Sequence, residues 1–148
     1  MVSNVQHHDH LVAQLTSDHR RLLQAFGALK QTAEAGDTPA FRQALQVFST
    51  LLVPHLMEEA MRLYTYLRQE LRSRGDAQGY QLVNGYKTEM GAIGDAAMRF
   101  IQNYASTEDT APIDFAQVRA SLQQIGHLLG DRIRREESEL YPLYQSLH

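Results

Sequence analysis

The chain has 148 residues, of which 43% are hydrophobic and 21% charged, and its 14 basic and 17 acidic side chains give a formal net charge of -3. That charge balance argues against a nucleic-acid binder, and the lack of cysteine excludes disulfides, thiolate metal sites and cysteine nucleophiles. The sequence has no apolar run of signal-peptide or membrane-spanning length, so we expect a soluble, cytoplasmic protein. The length predicts one domain over residues 1–148.

Apolar residues recur at helical spacing in four long blocks, which predicts an all-α fold. The first block covers residues 9–35 and ends at Gly36. Thr38 is the expected N-cap of the second block, with Pro39 at its first helical position. The second block reaches residue 72 and contains Pro54, which we expect to kink it.

The third block covers residues 77–104, and its apolar stripe begins with Leu82, Tyr86 and Met90. A polar loop at 106–113 follows, and Asp114 is the expected N-cap of the fourth block, whose stripe ends at Leu143. Short connections between long amphipathic helices favour antiparallel neighbours. The sequence therefore predicts an up-down-up-down antiparallel four-helix bundle.

Charged side chains and histidines interrupt these stripes, and in an antiparallel bundle they would lie at one level: His19, His55, Glu59, Arg132 and Glu136. Burying two carboxylates is costly, so a buried glutamate is protonated, paired with a cation or bound to a metal. A hydrogen-bonded core histidine is the alternative for each imidazole. A solvent-facing i,i+4 pair is the alternative for Glu59 or Arg132.

Other polar clusters carry less weight. The run HHDH at 7–10 has metal ligands, but residues 1–8 are expected to be frayed, which favours a solvated segment. His127 lies off the stripe and His148 is the last residue, so both are expected at the surface. The charge run at 134–139 is most simply the wet face of the fourth block.

Three segments resemble the hemerythrin-like (HHE) proteins. They are HLMEE at 55–59, RIRREESELYPLY at 132–144 and SDHRRLL at 17–23, and the resemblance spans residues 11–144. Members of that family hold a di-iron centre inside a helical bundle, with about five histidines and two bridging carboxylates. Carried over by position, the resemblance implies that the metal ligands retained here are His19, His55, Glu59 and Glu136.

The remaining ligands of that family have no counterpart. Arg132 stands where the last helix of the family has a histidine, and Met90 and Gly94 stand where the third helix has two. A guanidinium cannot ligate a metal, because it stays protonated, but it can replace a cation and hydrogen-bond the carboxylates. The resemblance thus implies either no metal or one iron-type divalent ion, and no complete di-iron centre.

A second resemblance is to the Rsd/AlgQ anti-sigma regulators, helical bundles that bind the principal sigma factor and carry no iron. It rests on Leu22-Leu23, Ala25-Phe26, Leu129, Arg132 and Glu136, although the HFxxYE-like stretch of those regulators is absent. One interpretation is therefore a non-enzymatic regulatory module whose partner is a protein such as a sigma factor. The alternative is a single-ion protein that senses or stores metal, oxygen or nitric oxide.

A partner would need a docking surface, and the far end of the second block offers one in Arg62, Tyr64, Arg68 and Arg72. Tyrosine and arginine are enriched at protein interfaces. The alternative is a solvated arginine face without a partner.

Overall fold

A computed structural model describes residues 6–105 and 112–147. Every regular element in those two ranges is helical, which confirms the all-α prediction. The elements are α1 (Leu11–Ala35), α2 (Thr38–Glu58), α3 (Thr65–Ser73), α4 (Ala77–Tyr104), α5 (Phe115–Arg135) and α6 (Tyr141–Ser146), with π-helical turns at Glu59–Tyr64 and Glu136–Leu140.

The helices form the predicted four-helix bundle. The first π-helical turn joins α2 to α3 as one continuous arm, and the second joins α5 to α6 in the same way. Helix α1 packs against α2 and α5, and α4 packs against α2, α3 and α5. None of the described helices is long and apolar enough to cross a membrane.

The helix ends follow local chemistry. Gly36 ends α1 in the left-handed conformation with φ of 66°, a backbone state that glycine adopts without a steric penalty. The cap of α2 is Asp37, one residue before the predicted Thr38, because the Asp37 carboxylate accepts a hydrogen bond from Ala40 N at 3.2 Å. Asp114 caps α5 as predicted.

Aromatic side chains fill both ends of the bundle. Phe41 packs edge-on against Phe100 and Phe115 at one end. At the other end Tyr144 packs against Tyr66, and His7 stacks on Tyr144 with ring centroids 4.3 Å apart. The side chain of His7 is 9% exposed, so this residue is not part of the frayed, solvated segment expected over residues 1–8.

The predicted apolar stripes are shifted by one residue in two places. On α4 the buried residue is Val83, whereas the predicted Leu82 is 57% exposed. On the last arm Tyr141 and Tyr144 are buried, whereas Leu143 is only half-buried. The second shift has a physical cause, because the π-helical turn inserts one residue into the helical repeat and rotates everything after it.

Close packing of α1 on α5 depends on Gly126. A Cβ at this position would lie 2.7 Å from Cε1 and 3.0 Å from Cζ of Phe26, whose ring is buried in the core. A Cβ at Gly130, one turn further along α5, would meet nothing within 4 Å.

We therefore expect Gly126→Ala to lower the free energy of unfolding by about 1–3 kcal/mol relative to Gly130→Ala, because overpacking displaces the Phe26 ring. Gly130→Ala should stabilise the protein by up to about 1 kcal/mol through helix propensity alone. Urea denaturation of the two variants measures the difference. Equal stabilities would contradict the close contact at Gly126.

Candidate metal centre

Five polar residues from three arms of the bundle meet in its interior, as their positions in the stripes predict. His19 comes from α1, His55 from α2 and Arg132 from α5, while Glu59 and Glu136 are the first residues of the two π-helical turns. None is more than 6% exposed, and Glu136 is fully buried. The solvent-facing alternative for Glu59 and Arg132 is therefore excluded.

Both carboxylates begin a π-helical turn, and a leucine and a tyrosine stand four and five positions after each of them. The sequences are EAMRLY from Glu59 to Tyr64 and EESELY from Glu136 to Tyr141. In a regular helix a residue five positions further along would turn away from the glutamate, but the wider turn brings both tyrosines back to the interior. Tyr64 is 4% exposed and Tyr141 1% exposed.

Each tyrosine hydrogen-bonds to the glutamate of the other arm. Tyr64 donates a hydrogen bond to Glu136 Oε2 at 3.2 Å, and Tyr141 donates to Glu59 Oε2 at 3.2 Å. Burial, together with the charge of the two glutamates, raises the pKa of each phenol. In the metal-free protein each hydroxyl therefore remains a hydrogen-bond donor and stabilises the carboxylate of the opposite arm.

The imidazoles direct Nε2 toward the carboxylates. His55 Nε2 lies 2.7 Å from Glu59 Oε1, and His19 Nε2 lies 3.4 Å from Glu136 Oε1. His19, His55, Glu59 and Glu136 each offer one ligand atom, and these four atoms all lie within 4.8 Å of one another.

The outward nitrogens of both imidazoles meet carboxylates on other elements. His19 Nδ1 lies 2.7 Å from Glu137 Oε2, and His55 Nδ1 lies 3.1 Å from Asp18 Oδ2. A carboxylate at Nδ1 holds a proton on that nitrogen and leaves Nε2 as the atom that can ligate a metal. In the metal-free protein Nε2 of His55 donates to Glu59 instead; burial lowers the pKa of His55, but the hydrogen bonds to Glu59 and Asp18 outweigh it and raise the pKa.

Arg132 fills the other side of the cluster. Its Nη2 donates to Glu59 Oε1 at 3.2 Å, its Nε lies 3.4 Å from Glu136 Oε2, and its Nη1 donates to Met90 O at 2.9 Å. A Cβ at Gly94 would lie 3.4 Å from Nη1. The guanidinium thus contacts both carboxylates and lies against Met90 and Gly94 of α4, which stand where the family has two histidines.

The two carboxyl groups differ in protonation. Burial, with the adjacent charge of Glu59, raises the pKa of Glu136 to about 7. Burial acts in the same direction on Glu59, but hydrogen bonds from Glu136 and His55 and the charge of Arg132 outweigh it and lower the pKa of Glu59. Below about pH 7 Glu136 therefore carries a proton while Glu59 stays ionised. Oε1 of Glu136 has no hydrogen-bond partner among the described residues.

The predicted docking surface is not a single exposed face, and the prediction for Tyr64 was wrong, because the π-helical turn rotates this side chain into the interior. Arg62 pairs with Glu58 at 3.2 Å. Arg68 and Arg72 donate to the hydroxyl of Tyr80 at 3.4 Å and 2.5 Å.

The remaining residues predicted at the surface agree with the structure only in part. His127 is exposed as predicted. Glu137 is 38% exposed, but it is not only part of the wet face of the last arm, since it holds His19. His148 and loop residues 106–111 lie outside the described residues.

Four residues of the centre were not predicted from the sequence: Asp18, Tyr64, Glu137 and Tyr141. Each acid stands directly beside a candidate ligand in the sequence, and the two tyrosines end the repeated pattern E-x-x-x-L-Y. Those two patterns are the sequence signals that point to this part of the centre.

Replacing Arg132 with Leu should destabilise the metal-free protein by about 3–5 kcal/mol, because both buried carboxylates lose their cation. The matched control is Arg134→Leu, since the Arg134 side chain is 71% exposed and pairs with Asp131, and its loss should cost at most about 0.5 kcal/mol. Thermal melts in the presence of a chelator compare the two. A loss near zero for Arg132→Leu would show that the carboxylates do not depend on this cation.

Comparison with known proteins agrees with this arrangement of residues. A family model described as the hemerythrin HHE cation binding domain matches residues 10–144. Neither the curated proteins nor the solved structures give a significant match. Because the matched segment covers nearly the whole chain and contains all the candidate ligands, this protein belongs to the hemerythrin HHE cation-binding domain family.

Proposed function

We propose that the protein is a non-enzymatic hemerythrin-like module that holds one divalent, iron-type ion at His19, His55, Glu59 and Glu136. The observation that carries this proposal is the orientation of the imidazoles. The carboxylates of Asp18 and Glu137 hold the outward Nδ1 atoms at 3.1 Å and 2.7 Å, so both Nε2 atoms are directed to the same buried volume, where an ion would replace the proton that His55 shares with Glu59. Metal-ligating histidines are oriented in this way.

The donor set fits such an ion. Two imidazole nitrogens and two carboxylate oxygens suit divalent first-row metals such as iron, manganese or zinc. Ligand atoms at about 2.0–2.2 Å from one ion lie at most about 4 Å apart, so separations of up to 4.8 Å need only small side-chain rotations. Glu136 Oε1, buried without a hydrogen-bond partner, is an acceptor that a cation would satisfy.

A second ion does not fit. The guanidinium of Arg132 lies 3.2 Å from Glu59 Oε1 and 3.4 Å from Glu136 Oε2, and it would repel a divalent ion bound between the same carboxylates. In a poorly solvated interior that repulsion costs several kcal/mol. Met90 and Gly94 supply no imidazole on α4.

The chain's own residues prepare the centre for an ion. Asp18 and Glu137 orient the imidazoles, Tyr64 and Tyr141 hold the carboxylates, and Arg132 offsets part of their charge. The proton that Glu136 carries below about pH 7 must leave when both carboxylates bind a cation. When bound, the ion would supply a centre suited to sensing or storing metal, oxygen or nitric oxide.

A regulatory role through a protein partner such as a sigma factor stays a prediction from the second resemblance. The burial of Tyr64 removes one of the four residues predicted to contact such a partner. The two roles are compatible, since binding of an ion at the centre could control whether the protein binds its partner.

Anaerobic reconstitution of the metal-free protein with Fe(II), followed by desalting and elemental analysis, should give one iron per chain. The electronic spectrum should lack the near-ultraviolet bands of an oxo-bridged di-iron centre. Two irons per chain would refute the role given to Arg132. No bound iron would refute the site itself and would favour a metal-free interaction module.

Asp18→Asn should weaken metal binding by about 10–100-fold, because the amide no longer fixes the tautomer of His55 as the carboxylate does. Asp131→Asn is the control, since Asp131 pairs with Arg134 on the surface and should leave the affinity unchanged. Competition with a chromophoric chelator measures both affinities. Equal affinities in the two variants would contradict the role of Asp18.

A further inference from the structure

The hydroxyl of Tyr141 lies among the candidate ligand atoms. It is 3.1 Å from His19 Nε2 and 3.2 Å from Glu59 Oε2, which belong to two other arms of the bundle. The ring of Tyr141 stacks on the imidazole of His19 with centroids 5.6 Å apart and planes inclined by 14°. Packing on all sides holds the hydroxyl in this position, since Tyr141 is 1% exposed.

These separations have the size expected between neighbouring ligands of one ion. Two donor atoms at about 2.0–2.2 Å from a metal and at right angles to each other lie about 3 Å apart. The Tyr141 oxygen lies at this distance from both His19 Nε2 and Glu59 Oε2. It is therefore placed as a fifth donor.

Tyr64 has the same sequence context but a different position. Its hydroxyl donates to Glu136 Oε2, the carboxylate oxygen that Arg132 Nε also contacts at 3.4 Å. Tyr64 thus lies on the guanidinium side of the carboxylate pair, whereas Tyr141 lies on the imidazole side. Tyr64 is therefore the tyrosine with which Tyr141 can be compared.

We propose that Tyr141 is a ligand of the metal in the ferric state, bound through its phenolate oxygen, and that the centre accordingly accepts Fe(III). This inference rests on the proposed single-ion site. A phenolate is a hard anionic donor that suits ferric iron, as in haem enzymes that use tyrosine as the axial ligand. On binding, the phenolic O–H bond breaks, the oxygen donates its electron pair to the iron and the proton is released to solvent, with no change in oxidation state.

Charge supports the ferric form. With both glutamates ionised and Arg132 protonated, one more anionic ligand compensates for the additional positive charge of Fe(III) relative to Fe(II). A neutral phenol would leave that charge uncompensated in a buried centre, which is unfavourable. Tyr141 is the residue whose oxygen contacts both an imidazole and a carboxylate of the site.

The test is to add Fe(III) nitrilotriacetate to the metal-free protein, remove the excess and record visible absorption and resonance Raman spectra per bound iron. The wild-type protein should show a phenolate-to-iron charge-transfer band with tyrosinate ring vibrations. Tyr64→Phe removes a hydrogen bond to the ligand Glu136 and is expected to bind less iron, but per bound iron it should keep the band and the vibrations. Tyr141→Phe should lose the band and the vibrations while circular dichroism remains unchanged. Iron analysis of each sample normalises the spectra.

Three outcomes would overturn the assignment. Iron-loaded wild-type protein without tyrosinate vibrations would show that no phenolate is bound, whatever the stability of the variants. A band that persists in Tyr141→Phe, or that disappears in Tyr64→Phe with iron retained, would assign the ligand elsewhere. Failure of the folded wild-type protein to bind either Fe(II) or Fe(III) would instead refute the proposed single-ion site.

Discussion

The two buried carboxylates of Glu59 and Glu136 impose the condition that the rest of the centre has to meet. Neither is more than 1% exposed, and two like charges in such surroundings are unstable without compensation. Arg132 supplies one positive charge, and protonation of Glu136 below about pH 7 removes one negative charge, since burial and the charge of Glu59 raise the pKa of Glu136 to about 7. Burial lowers the pKa of His55, but its hydrogen bonds to Glu59 and Asp18 outweigh burial and raise the pKa. The metal-free centre is thus balanced by a guanidinium and by protons, and a bound cation can displace only the protons.

The same contacts join the arms of the bundle. His55 to Asp18 links α2 to α1 at 3.1 Å, and His19 to Glu137 links α1 to the last arm at 2.7 Å. Arg132 binds the carbonyl of Met90 and so links α5 to α4. Because these bonds form before any ion is present, the imidazoles need little reorganisation to bind one, and preorganisation of this kind increases affinity.

The helical period was sufficient to find the fold and the residues that face the interior at one level. It was not sufficient beyond Glu59 and Glu136, because a π-helical turn adds a residue that the 3.6-residue period does not predict. Tyr64 was therefore expected outside and Leu143 inside. Asp18 and Glu137 were not predicted as part of the centre for another reason. Each stands beside the apolar stripe, and the rotation and crossing angle of the helices decide whether such an acid contacts a neighbouring arm.

The guanidinium half of the centre is filled rather than vacant. Nη1 of Arg132 lies 3.4 Å from the position of a Cβ at Gly94, and Leu56 Cδ1 lies 3.5 Å from it. An imidazole at position 94 would need the volume that the guanidinium and Leu56 occupy. The side chain of Arg132 on α5 thus fills the space left by Gly94 on α4. A histidine at position 94 alone would clash with the guanidinium, and a histidine at position 132 alone would leave a carboxylate without its cation. Accommodating a second ion here would require both positions to change together, so the packing and the ligand set act in the same direction.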